Sequence, residues 1–199
     1  MTYKIMVVDD DPITRMDLRE MLKDEGYQVV KECKNGEEAV QQCLALKPDL
    51  IIMDVKMPIL NGIKAAKVIR KKLDTAILLL TAYSQRELIE DAKESGVTAY
   101  LVKPVTELDL IPAIEIAMSQ KQQFECLSRD LQFLKKKLEE RQLIEKAKGK
   151  IMESRVMTEE QSYQWMRKYS MKNRIALVTV AKFILQQPGA IGDVFLVRE

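Results

Sequence analysis

Pro48–Gly62 reads PDLIIMDVKMPILNG. Leu50–Met53 is an unbroken apolar run, and it ends on a carboxylate, Asp54. A strand without polar alternation is buried on both faces, as strands of a parallel sheet are. Four more runs have this character: Lys4–Val8, Gln28–Lys31, Ala76–Leu80 and Ala99–Val102. Helix-length stretches with apolar spacing of three and four lie between them. The first carries Ile13, Met16, Met21 and Leu22, with Asp11 placed to cap it and Pro12 at its first turn. The second carries Ala39, Leu44 and Leu46 after Asn35-Gly36, and the third Ile63, Ala66 and Ile69 after Asn61-Gly62. The fourth carries Leu88, Ile89 and Ala92 and closes at Gly96; the fifth starts at Thr106, with Pro112 just inside. Five strands alternating with five helices predict a doubly wound, five-stranded parallel α/β sheet.

In such a sheet, ligands bind beyond the carboxyl ends of the strands, where the strand order reverses. Strand one ends at Asp9, Asp10 and Asp11, strand three at Asp54, strand four at Thr81 and strand five at Lys103-Pro104. Carboxylates crowded together repel unless a cation joins them. Oxygen-only ligands favour Mg²⁺, which keeps several of its waters. With such an ion one aspartate can attack an activated phosphoryl group and become an acyl phosphate. The lysine offsets charge on the phosphoryl oxygens, and the threonine hydroxyl can bond to the new phosphate. Acidic residues that merely cap helices are the plain alternative. Four strand ends each supplying a required group argue against it.

The rest of the 199-residue composition agrees. There is no histidine, which removes histidine triads, histidine-ligated zinc and histidine bases. Cys33, Cys43 and Cys126 form no metal spacing and are expected as buried or partly buried thiols in a reducing compartment. No apolar run approaches a membrane span, and residues 1–8 lack a signal-peptide pattern, so the expectation is a cytoplasmic protein with no membrane partner. Residues 1–119 carry 16 basic and 20 acidic side chains; residues 120–199 carry 16 and 10. An acidic front and a basic back suggest two domains, the second suited to a polyanion.

No Gly or Pro interrupts the chain between Pro112 and Gly149, so the fifth helix can run on. Phe124, Leu127, Leu131, Leu134 and Leu138 then recur at spacings of three and four. That heptad seam favours a short coiled coil between two chains over packing within one chain. Three short helices are expected after it: about Glu140–Ser154, one starting at Thr158 with Gln161 completing a capping box, and one starting within Ser170–Asn173 and ending at Pro188-Gly189. The division is 1–119, 120–142 for the coiled-coil helix, 143–187 for a small helical domain, and a tail at 188–199.

The stretches VVDDDP (Val7–Pro12), PDLIIMDVKMPILNG, LLTAY (Leu79–Tyr83) and AYLVKP (Ala99–Pro104) resemble the receiver domains of two-component response regulators. The resemblance covers residues 1–119. It implies that Asp54 is the phosphoacceptor, supplied by a sensor histidine kinase. It implies Mg²⁺ held by Asp9, Asp10, Asp54 and the backbone carbonyl of Lys56, with Asp10 the closer ligand of the first pair. It also implies Thr81 as switch hydroxyl, Tyr100 as aromatic switch, Lys103 as phosphate-binding lysine and a cis bond at Lys103-Pro104. Asp11 reads as a helix cap and not a ligand.

Leu143–Leu185 resembles an ANTAR domain, an RNA-binding antitermination module. The resemblance rests on Ala147-Lys148-Gly149, Ser162-Tyr163, Met166-Arg167, Ser170-Met171 and Asn173-Arg174. The whole chain, seam included, is similar to the ethanolamine-utilisation type of receiver–ANTAR regulator. Such proteins bind paired hairpins in a leader transcript and keep a terminator from forming, which here implies a homodimer on activation. Lys146, Lys148, Gly149, Lys150, Arg167, Lys172, Asn173 and Arg174 are the candidate RNA surface: cations for phosphates, Asn173 for a base edge, Gly149 for close backbone approach. Trp165, Met166, Tyr169 and Met171 are expected in the core. A DNA-binding transcription factor is the alternative, weakened because no Gly marks a tight turn between the last two helices. An aspartate-nucleophile phosphatase is a second alternative. It usually needs another acid two residues after the nucleophile, where this chain has Lys56. The protein is therefore expected to catalyse only its own phosphoryl transfer.

Overall fold

The computed structural model describes residues 3–82 and 97–186. The expected fourth helix, Tyr83 and the stretch from Pro188-Gly189 onward lie outside the described residues. Two compact units divide at Cys126 and Leu127. The first holds β1 (Lys4–Val8), α1 (Pro12–Asp24), β2 (Gln28–Cys33), α2 (Gly36–Leu46), β3 (Leu50–Asp54), α3 (Gly62–Arg70), β4 (Ala76–Thr81) and β5 (Ala99–Val102). The strands are all parallel, in the order β2-β1-β3-β4-β5. β2, β3 and β4 run past their apolar residues to Cys33, Asp54 and Thr81. Backbone pairing does not depend on side-chain polarity, and Asp54 still pairs with Leu80, as Thr81 does with Val102.

The side-chain period of two splits the strands between two cores. Met6, Val8, Ile51, Met53, Ile77 and Leu79 pack against Ala39 and Cys43 of α2 and Ile63, Ala66 and Ile69 of α3. Ile5, Val7, Leu50, Ile52, Leu78 and Leu80 pack on the other face against Leu18 and Leu22 of α1, with Leu110 and Ile114. Ile13 and Met16, expected on the core face of α1, are exposed. Steps of four back from Leu22 and Leu18 reach Thr14, which leaves Ile13 and Met16 off the buried stripe.

α4 is one helix from Glu107 to Arg155, 49 residues long, and it passes through both Pro112 and Gly149. Its start is held by the Thr106 hydroxyl, which donates to Asp109 at 2.6 Å. The expected separate helix at Glu140–Ser154 is therefore the end of α4. Residues 129–139 are exposed throughout, and so are all five seam residues, Phe124 to Leu138, at 54–64%. Cys126 on the same helix is exposed too, unlike the buried Cys33 and Cys43.

The second unit packs the end of α4 with α5 (Glu159–Asn173) and α6 (Leu177–Gln186). Thr158 and Gln161 form the expected capping box. Ala147 and Ile151 of α4, Met166 of α5, and Val180, Ala181 and Ile184 of α6 make a small core. Trp165 and Tyr169 lean on it, stacked with ring centroids 5.6 Å apart. Met171, expected in this core, is 69% exposed. Ser170–Asn173 closes α5 and does not open α6. Arg174 adopts the left-handed conformation (φ 54°) as the α5 C-cap, so a tight turn forms without glycine. Six helices are seen among the described residues. None of them is long and apolar enough to cross a membrane.

Candidate functional site

The strand order reverses between β1 and β3, and the carboxyl ends of the strands meet there. Asp9 follows β1 and is buried; Asp54 ends β3 and is buried; Thr81 ends β4 and is buried. Lys103 follows β5. Its ammonium lies 2.7 Å from Asp9 Oδ2 and 2.6 Å from Asp54 Oδ1. Burial pushes the Asp54 carboxyl above the usual carboxylate range, even though Lys103 bonds to it and the Lys56 backbone donates to it. Burial works to lower the Lys103 ammonium, but its bonds to Asp54 and Asp9 outweigh this and hold it above its ordinary value. A half-buried lysine between two buried carboxylates is thus the charge balance of the site.

Asp9 is held at both oxygens, since Oδ1 accepts from the Asp11 backbone N–H at 3.0 Å. Asp10 stands apart and is exposed. It lines a cavity of about 700 Å³ with Val55, Lys56, Met57, Pro58 and Asn61. Among the described residues no three acidic or sulfur side chains converge as a ready-made metal cage. Asp11 caps α1 as expected, accepting from the backbone N–H groups of Ile13 and Thr14 at 3.2 and 3.1 Å. The Thr14 hydroxyl, then those two N–H groups, hold its carboxyl below the ordinary value. The Lys103-Pro104 bond is cis. Tyr100 points outward from β5, 45% exposed.

The loop after Asp54 is braced by α3. Asn61 caps that helix, accepting from the Lys64 N–H at 2.8 Å. The Gly62 N–H donates to the Val55 carbonyl at 3.0 Å, and a Cβ at Gly62 would run into the Asp54 carbonyl. Only glycine allows α3 to start this close to the end of β3. One contact is absent from the pattern of motifs: Arg15 Nη1 donates to the carbonyls of Asp9 and Asp10, at 2.7 and 3.3 Å.

The structure divides the candidate RNA residues. Lys148 is 7% exposed, with its ammonium 2.7 Å from both Glu145 and Glu159 and 5.9 Å from the Tyr163 ring centre. It is an internal tie between α4 and α5 and not an open phosphate contact. Lys150 donates to the Leu185 carbonyl at 3.2 Å, at the end of α6. Lys146, Arg167, Lys172, Asn173 and Arg174 lie on the surface, Asn173 donating to the Tyr169 carbonyl at 2.9 Å. Lys168, which no sequence motif marks, is exposed beside Arg167 on α5. Gly149 has open space where a Cβ would stand.

Comparison with known proteins agrees with this geometry. The family model described as "Response regulator receiver domain" matches residues 5–115, and that described as "ANTAR domain" matches residues 132–185. The transcriptional regulatory protein PdtaR of Mycobacterium tuberculosis is 43% identical over 190 residues, 96% of this chain and 93% of that one. The transcriptional regulatory protein YdfI of Bacillus subtilis is 34% identical, over 72% of this chain and 70% of its own length. Among solved structures, the receiver domain of the putative response regulator NarL from M. tuberculosis superposes with a TM-score of 0.57 at 27% identity, covering 59% of this chain and 97% of that one. The receiver match takes in more than half of the chain, and PdtaR aligns along nearly all of it. The chain therefore belongs to the response regulators in which a receiver domain is followed by an ANTAR domain.

Proposed function

We propose that the protein is a phosphorylation-activated regulator that pairs with a second copy and binds paired hairpins in leader RNA, preventing transcription termination. The observation that carries the first step is Lys103 bridging Asp9 and Asp54 at the carboxyl ends of the strands. Asp54 is the phosphoacceptor. Its carboxylate oxygen attacks phosphorus of a histidine kinase phosphoimidazole or of a small acyl phosphate. The new O–P bond forms as the donor's N–P or O–P bond breaks, and the leaving group departs with the electron pair. Lys103 then turns its charge to the phosphoryl oxygens. The donor chemistry suits Mg²⁺: the side chains are all oxygen donors, and Asp10, exposed, lines one cavity with Lys56. Bound there with Asp9, Asp10 and Asp54, the ion would offset charge on the transferring phosphoryl group. Thr81 and Tyr100 are the switch pair.

The exposed seam Phe124, Leu127, Leu131, Leu134 and Leu138 supports pairing between two chains in register. Pairing would bring two ANTAR modules to two hairpins, and effective concentration would multiply their affinity. The solvent side of α5, with Arg167, Lys168, Lys172 and Arg174, supports RNA binding, joined by Lys146, Asn173 and the open backbone at Gly149. Lys148 supports that surface from within, and half-exposed Lys150 can join it beside its bond to the Leu185 carbonyl. The short α5–α6 turn also suits a DNA-binding pair of helices, so the test sets the two polymers against each other. Salt-matched titrations with a two-hairpin RNA and a duplex of the same sequence should favour the RNA by at least tenfold. Preference for the duplex would replace this reading with the transcription-factor one.

A further inference from the structure

The geometry points to Arg15 as a positioning residue for the Mg²⁺-binding carboxylate of Asp10. This rests on the phosphoryl-transfer reading above. Arg15 stands on α1 and is largely buried. Its Nη1 donates to the Asp9 carbonyl at 2.7 Å and to the Asp10 carbonyl at 3.3 Å. Its Nε lies 3.8 Å from Glu32 Oε2 on β2, and the other oxygen of Glu32 accepts from Arg19 at 3.2 Å. One guanidinium therefore ties the loop after β1 to β2 and α1.

The tie falls where the loop has least other support. The Asp9 side chain is already fixed at both oxygens, by the Asp11 N–H and by Lys103. Asp10 is exposed, and among the described residues no side-chain hydrogen bond orients its carboxylate. Two carbonyls held by one planar group set two successive peptide planes, and these planes aim the Asp10 Cα–Cβ bond. Groups that orient a ligand from behind commonly change metal affinity by about 10–100-fold when removed.

Charge and positioning predict opposite signs. Removing Arg15 makes the site one charge more negative, which by Coulomb attraction alone would tighten a divalent cation. Positioning predicts weaker binding.

The test is Mg²⁺ titration of the full chain by calorimetry, with a thermal melt of each variant. Arg15→Ala should bind Mg²⁺ about tenfold more weakly. Arg15→Lys, which keeps one donor near the carbonyls, should recover part of that loss. Glu32→Gln, which leaves the guanidinium but loosens it, should lie between wild type and Arg15→Ala. Equal or tighter binding by folded Arg15→Ala and Arg15→Lys would overturn the inference. Asp10→Asn is the separate control. If it binds Mg²⁺ as the wild type does, the metal reading itself fails, and Arg15 with it.

Discussion

At the scale of single residues, the account turns on Asp54. Its burial raises the energy of the carboxylate, and Lys103 supplies the opposing charge. Asp54→Asn should abolish labelling by a small acyl-phosphate donor, read by phosphate-affinity gel, while the fold survives; residual labelling above a tenth would move the acceptor elsewhere. The cysteines give an independent check of burial. Burial, reinforced by the Glu38 charge, pushes the Cys33 thiol from 9.0 up to about 12. In native protein at pH 8 a thiol reagent should modify Cys126 quickly and leave Cys33 and Cys43 until the chain is unfolded. The sign of the linkage follows. The folded pKa lies above the unfolded one, so this contribution to stability is complete below pH 9 and is lost as pH rises toward 12. Urea midpoints should fall across that window in the wild type more than in Cys33→Ala.

Residues also show what the sequence makes legible. Asp9, Asp54 and Thr81 follow or end buried strands and Lys103 follows the half-exposed β5, so pattern and chemistry still point to one place. Asp11 is readable as a cap because its side chain acts within three residues. Arg15 escapes such reading because its partners are backbone carbonyls, which leave no trace in residue identity. Lys148 misleads for a related reason. Glu145 is visible three residues before it, but Glu159 reaches it from another helix. Arg174 takes a left-handed position where glycine is the expected residue.

At the scale of elements, α4 carries the proposal. Strand runs and most helices follow from period and caps. The continuity of α4 does not, because the apolar seam stops at Leu138 and suggests a separate helix from Glu140, whereas one helix runs to Arg155 with Gly149 only a weak point inside it. Glycine inside a helix costs roughly 0.5–1 kcal/mol relative to alanine. Nothing lies where its Cβ would stand. Gly149→Ala should therefore raise stability by about that amount and, if RNA backbone approaches there, weaken RNA binding severalfold. A filter-binding assay beside a thermal melt reads both. The seam gives a second prediction. Leu131→Lys with Leu138→Lys should keep Asp54 labelling but lower both dimer formation, seen by light scattering, and affinity for a two-hairpin RNA. Unchanged RNA binding would remove the dimer from the account.

At the scale of the whole molecule, the charge division and the two family matches put an acidic receiver domain ahead of a basic ANTAR domain in the sequence. The composition shows that division directly. What it does not show is which basic residues are open, since Lys148 is buried between Glu145 and Glu159 only once the helices pack. The central claim is that phosphorylation at Asp54 controls RNA affinity. The most direct measurement is fluorescence anisotropy of a labelled two-hairpin leader RNA, titrated with the full chain at fixed salt, with and without beryllofluoride and Mg²⁺. The account predicts at least tenfold tighter binding with the mimic, a gain lost in Asp54→Ala. Equal affinity in both conditions would contradict it.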